Sequence, residues 1–180
     1  THLTLRRQER ILRKYSDTLE DMVEERSQKL LKAEKDLQRD YDIQAILNEI
    51  LRQSLSGDTL KQHLERALKL ILSLTWFPTL DHGSFFLAQP GDVLQMIAWH
   101  NLDQGTLHTC SHLSIGDCVC GESARIKQML VIPSDDSLHN HREPTLPPHS
   151  NLCLPILKGE SLLGLLNLYL DYGYSLDRKE

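Results

Sequence analysis

The stretch "NLCLPILKGESLLGLLNLYLD", residues 151–171, decides how the second half of the chain folds. Two apolar runs flank Lys158-Gly159-Glu160, and a glycine between charged residues at such a place marks a turn. The segment reads as two antiparallel strands closed by a hairpin. Upstream, "GSFFLAQ" (83–89) and "DVLQMIAWH" (92–100), joined through Pro90-Gly91, read as another hairpin. "LHTCSHLSI" (107–115) predicts a further strand, "VCGESARIKQ" (119–128) a helix and "MLVIPS" (129–134) a short strand. Residues 135–150, rich in Asp, His, Asn and Pro, read as loop. The expected class is α+β, with helices on one face of an antiparallel sheet.

The first half has a different period. No Pro or Gly occurs before Gly57, and Leu, Glu, Lys, Arg and Gln dominate, so residues 3–54 read as one helix. Fifty residues at ~1.5 Å each span about 75 Å, too long to wrap one small core. Leu5, Leu12, Tyr15, Leu19, Val23, Leu30, Ala33, Leu37 and Tyr41 recur mostly at steps of three and four, the seam of a coiled coil. Between Leu19 and Leu30 the step is eleven residues, a stutter that locally unwinds the supercoil and puts Arg26 on the seam. A parallel homodimer is the simplest partnership for such a helix. Gly57 is expected to break it, with Asp58 capping the next. "LKQHLERALKLIL" then carries a wide apolar stripe suited to packing on a domain.

With 180 residues, 40% of them apolar and 25% charged, the chain holds one ordinary domain plus an extension. A net charge of −5 with no free-standing basic cluster argues against a nucleic-acid partner. No apolar run approaches the ~20 residues of a membrane span, so no direct membrane contact is expected, and four cysteines at spacings unlike a secreted disulfide scaffold fit a reduced cytoplasmic chain.

Several segments taken in order resemble a GAF domain over residues 58–170. "ALKLILSLTWFPTLDHGSFFLA" is similar to the family's first helix and strand. "LSIGDCVCGESARIKQMLVI" resembles its glycine turn and following helix, through Gly116, Gly121 and Ala124. The closing hairpin, with Pro155, Ile156, Gly164, Leu165 and Asn167, is the most specific match. "RILRKYSDTLEDMVEERSQKL" resembles the signalling helix found before such sensors in bacterial two-component and cyclic-dinucleotide proteins. The resemblance implies a coiled-coil signalling helix over 1–55 and a GAF-like sensor domain over 56–180. It also implies a ligand pocket between the sheet and the segment 118–150. No Cys is followed by His, as in bilin-binding relatives, and the Asn-Lys-Phe set of cyclic-nucleotide binders is missing.

Cys110, Cys118 and Cys120 fall in "CSHLSIGDCVCGES" (110–123), and Cys153 lies in the closing hairpin. On the resemblance these four rim the pocket, with His139, His141 and His149 on a covering loop. His112, two residues after Cys110, would share its strand face. Thiolates suit zinc, copper(I) or an iron–sulfur cluster, and a histidine suits haem. The metal candidates are therefore Cys110, Cys118, Cys120 and Cys153, and His112, His139 and His149 join them as cofactor candidates. Two other readings stand beside this one: buried inert thiols, since cysteine packs as a small hydrophobe, and an organic ligand with incidental cysteines. His2, His63, His82, His100 and His108 are set aside as solvated.

The expected function is a cytoplasmic sensor module of a bacterial signalling protein, reading a small ligand, a metal centre or a redox state and relaying it along a dimeric coiled coil. The alternatives are a ligand-free dimerisation and relay module, and a thiol reductase like the GAF-like methionine sulfoxide reductases. No Gly-rich phosphate loop and no Ser/His/Asp arrangement is present, so no catalysis is assigned to this stretch itself.

Overall fold

A computed structural model describes residues 2–140 and 146–174. His141 and the side chain of Leu5 lie outside the described residues. The chain divides into two compact units, Thr1–Ala45 and Ile46–Glu180.

The helix α1 runs unbroken over His2–Ser54, as its composition predicts. Within the first unit it is held by its own surface pairs, such as Lys29 with Glu25 at 2.6 Å and Gln28 with Glu24 at 2.8 Å. Of the residues expected to form a seam, Leu12 is 68% and Leu30 71% exposed.

The second unit is built on six strands: β1 (Thr79–Gln89), β2 (Val93–His100), β3 (His112–Ser114), β4 (Leu130–Pro133), β5 (His149–Lys158) and β6 (Ser161–Asp171). Their order is β3-β2-β1-β6-β5-β4, with every neighbouring pair antiparallel. The helices are α2 (Leu60–Leu72), α3 (Gln104–Cys110) and α4 (Cys118–Ile126).

Helices cover both faces of the sheet, not one as expected. On one face Ala67 and Leu68 of α2 pack on Phe85, Ala98, Leu152, Leu166, Leu168 and Leu170. On the other, Val119 and Ala124 of α4 pack with Phe86, Leu94, Met96, Leu113 and Leu165. Phe85 pairs with Ala98 and Phe86 with Met96, so Ile97 is an extra residue in β2. That bulge lets Met96 and Ala98 serve opposite cores despite being two apart.

Two further corrections concern helix starts. Thr59 caps α2, not Asp58: its hydroxyl accepts from the Gln62 N–H at 3.3 Å, and the Gln62 side chain accepts from the Thr59 N–H at 2.9 Å. Asp58 pairs instead with Ser56 and Arg66. The strand expected over 107–115 is α3 followed by the short β3. Asp103 caps α3, accepting from the Thr106 N–H at 2.9 Å.

Gly164 allows β6 to lie against β1, because a Cβ there would sit 2.2 Å from the Phe86 carbonyl oxygen. Gly121 does the same for α4, where a Cβ would sit 2.4 Å from the Ser114 carbonyl oxygen. Gly164→Ala and Gly121→Ala should each cost about 3 kcal/mol in urea unfolding, the upper end for overpacking against backbone. Gly57→Ala, with nothing within 4 Å of its Cβ, should leave the midpoint within error of the parent.

Candidate functional site

The face of the sheet under α4 carries polar side chains where a core would carry leucines. Cross-strand pairing aligns Ser84 of β1 with Asn167 of β6, and Asn167 with Cys153 of β5. The next row aligns Tyr169 with Asn151. All five are buried: Ser84 is 1% exposed, Asn151 2% and Cys153 0%.

Above this floor lies a small cavity of about 20 Å³, the space of roughly one water molecule. Ser84, Asn151, Asn167 and Tyr169 line it from the sheet, Cys118, Val119 and Cys120 from the first turn of α4, and Cys110 and His139 from the sides. Cys118 enters α4 with a left-handed backbone, φ 56°, uncommon for a side chain with a Cβ. The Asp117 side chain makes no capping hydrogen bond to that turn.

In the lining, Ser84 Oγ and Asn151 Nδ2 are buried without a hydrogen-bond partner among the described residues. Leaving a buried polar group unmatched costs about 1–3 kcal/mol, so a water or ligand polar atom in the cavity would be favoured.

The cysteines fall into two sets. Cys120 Sγ and Cys153 Sγ touch at 3.4 Å, and the Cys153 thiol donates to Asn167 Oδ1 at 3.5 Å. Ser123 of α4 strengthens this contact by donating to the Cys153 carbonyl at 3.1 Å. The neighbouring Cys153 thiol, with burial, pushes the Cys120 thiol well above its usual range. Cys110 and Cys118 line the cavity. Burial pushes the Tyr169 phenol well up, and the charges of the four cysteines act in the same direction.

Each sequence-derived candidate now has a place. Cys110 is the last residue of α3, not a strand residue, so it does not share a strand face with His112, which is exposed at the start of β3. His139 is buried in the turn after β4 and lines the cavity. His149 is not on a loop: it opens β5, 4% exposed, with its ring edge-on to His139 at 5.8 Å and tilted against Tyr169 at 4.8 Å. Its Nδ1 lies 2.8 Å from the Pro147 carbonyl, and its Nε2 is buried without a hydrogen-bond partner among the described residues. His82, set aside as solvated, is half-buried with its ring 6.0 Å from Tyr169.

Among the described residues, no group of three or more His, Cys, Asp or Glu side chains is placed to hold a metal ion. Sequence reasoning passed over Ser84, Asn151 and Tyr169 as site residues. For Asn151 and Tyr169 the signal was present in "NLC" and "LNLYL", where polar residues interrupt the apolar run of buried strands.

The family model for the GAF domain matches residues 57–179. Among solved structures, the A. aeolicus nlh2 GAF domain in an inactive state superposes with TM-score 0.61 at 18% identity, over 75% of this chain and 83% of that one. The GAF domain of the Acinetobacter phosphoenolpyruvate-protein phosphotransferase gives 0.59 at 13%, over 74% and 80%. Free methionine-R-sulfoxide reductase from Neisseria meningitidis, in complex with its substrate, gives 0.57 at 13%, over 72% and 74%. At these identities the likeness is one of fold. No curated protein matches the chain.

Burial lowers the pKa of His149 from its ordinary 6.5, partly opposed by the Pro147 carbonyl and reinforced by His82. The unfolded chain therefore binds a proton at His149 more readily than the folded one, and stability falls as pH drops below about 6.5. Urea midpoints at pH 7.5 and 5.5 should show a loss on acidification that is smaller in His149→Gln than in the parent.

Proposed function

The chain belongs to the GAF domain family, and on that premise we propose that it is a cytoplasmic sensor module of a bacterial signalling protein that binds a small polar ligand over the face of its sheet. The observation that carries this is the floor of Ser84, Asn151, Asn167 and Tyr169, with Ser84 Oγ and Asn151 Nδ2 unmatched in a buried cavity. A purely structural core would fill such positions with apolar groups at lower cost. The cavity holds about a water, so a larger ligand enters only if α4 or the turn carrying His139 moves outward. Occupancy and conformation are then linked, as a sensor requires.

The exposed seam of α1 supports the second part of the reading, a parallel homodimeric coiled coil that relays the change. An isolated helix with its apolar stripe in water is marginal, and a second copy offers the matching stripe. Arg26, in the stuttered section, weakens the seam where two packings would interconvert.

A thiol reductase is the second reading. It draws on Cys110, Cys118 and Cys120 around the cavity and on the reductases among the structural neighbours. Turnover of free methionine sulfoxide with a dithiol reductant would favour it over the sensor.

Thermal shifts against amino acids and small carboxylates should find compounds that raise the melting temperature of the parent but not of Asn151→Leu. Asn151→Leu without ligand should itself be more stable by about 1 kcal/mol, because an unmatched amide is removed. A flat response from the parent across all compounds would favour a ligand-free relay module. Sedimentation equilibrium should give a dimer for the chain and a monomer for Leu12→Lys with Leu19→Lys. A monomeric parent would remove the coiled-coil relay.

A further inference from the structure

We propose that Cys120 and Cys153 form a reversible disulfide that ties the first turn of α4 to strand β5. Their sulfur atoms already touch at 3.4 Å across two elements 33 residues apart in sequence. A bond needs about 2.05 Å, which side-chain rotation and a small inward movement of α4 supply. The contact is also aligned: Cys153 donates to Asn167 Oδ1, which leaves its sulfur to accept from Cys120.

Exposure assigns the two roles. Cys120 lines the cavity, whereas Cys153 lies beneath it and is 0% exposed. A small oxidant such as hydrogen peroxide, entering the cavity as α4 or the turn carrying His139 moves outward, meets Cys120 first. The Cys120 sulfur attacks one peroxide oxygen, the O–O bond breaks, and water leaves with the other oxygen. Cys120 is then a sulfenic acid. The Cys153 sulfur attacks the Cys120 sulfur, the S–O bond breaks, and a second water carries off the hydroxyl and the Cys153 proton. Two thiols lose two electrons and two protons in all, and one peroxide becomes two waters. A dithiol reductant reverses the bond by exchange.

The consequence falls on the cavity. Drawing Cys120 onto the sheet shifts the wall formed by Cys118, Val119 and Cys120. The bond also closes a loop containing β4 and His139. It forms whether or not the cavity takes a ligand; its effect on binding rests on the sensor reading above. The high-lying Cys120 thiol is scarcely ionised at neutral pH, so the reaction is slow there and quickens in alkali.

The test uses the reduced full chain, treated with hydrogen peroxide at pH 7 and pH 9. Free thiols are alkylated under denaturing conditions, and the linked tryptic peptides are weighed and fragmented, because residues 70–125 carry Cys110, Cys118 and Cys120 together. A peptide pair joining Cys120 to Cys153, lighter by two hydrogens, should appear, faster at pH 9, and vanish with dithiothreitol. The oxidised parent should melt about 5–10 °C above the reduced one, and Cys153→Ser should show no such rise. In Cys153→Ser a sulfenic acid at Cys120 should be trapped by dimedone, while Cys118→Ala should still form the link. Links only between other cysteines, oxidation to sulfinic acid without a link, or no modification at pH 9 would each overturn the proposal. These are read on the parent by mass, so a flat ligand screen leaves the result standing.

Discussion

Strand β6 holds the second unit together by alternation. Leu166, Leu168 and Leu170 point toward α2, while Leu165, Asn167 and Tyr169 point toward α4. Because a strand repeats every two residues, a slip of one would drive Asn167 and Tyr169 into the α2 core and lift leucines into the cavity. Pairing with β1 on one side and β5 on the other prevents this, and Gly164 sets the distance to β1. The two cores, the floor of the cavity and the seat of the thiol pair all follow from that register.

The same register creates a tension. A sheet buried on both faces is most stable when both are apolar, yet one face carries two asparagines, a serine, a tyrosine and a cysteine in adjoining rows. Some of these groups satisfy one another, as Cys153 does with Asn167. Others do not, and a protein that keeps unmatched donors in its interior has given up stability at the place where function is expected. His149, buried against Tyr169 and held through Nδ1, belongs to the same compromise.

Much of the architecture was legible in the residues. Both hairpins announced themselves by glycine at the turns, and α2 by its apolar stripe. Two features were not. The segment 107–115 alternates as a strand does, and Gly105 lowers helix propensity just where α3 forms. The Asp103 cap and a single turn of tertiary support prevailed, which moved Cys110 away from His112. The second helical face was also missed, although "SLLGLLNLYL" is a nearly continuous apolar run broken only by Gly164, Asn167 and Tyr169, the mark of a strand covered twice. For the site, cysteine and histidine drew attention because their chemistry is distinctive. Asparagine and serine in a strand look ordinary until pairing shows that they face one another. Spacing could not say which sulfurs meet, because residues 120 and 153 are joined only through the fold.

The solvent-facing stripe of α1 has one more implication. Large apolar side chains from Ile11 to Tyr41 stand in water along one helix. Surfaces of this kind are what chaperones and proteases engage on incompletely assembled chains. The proposed pairing would withdraw these same residues from such partners.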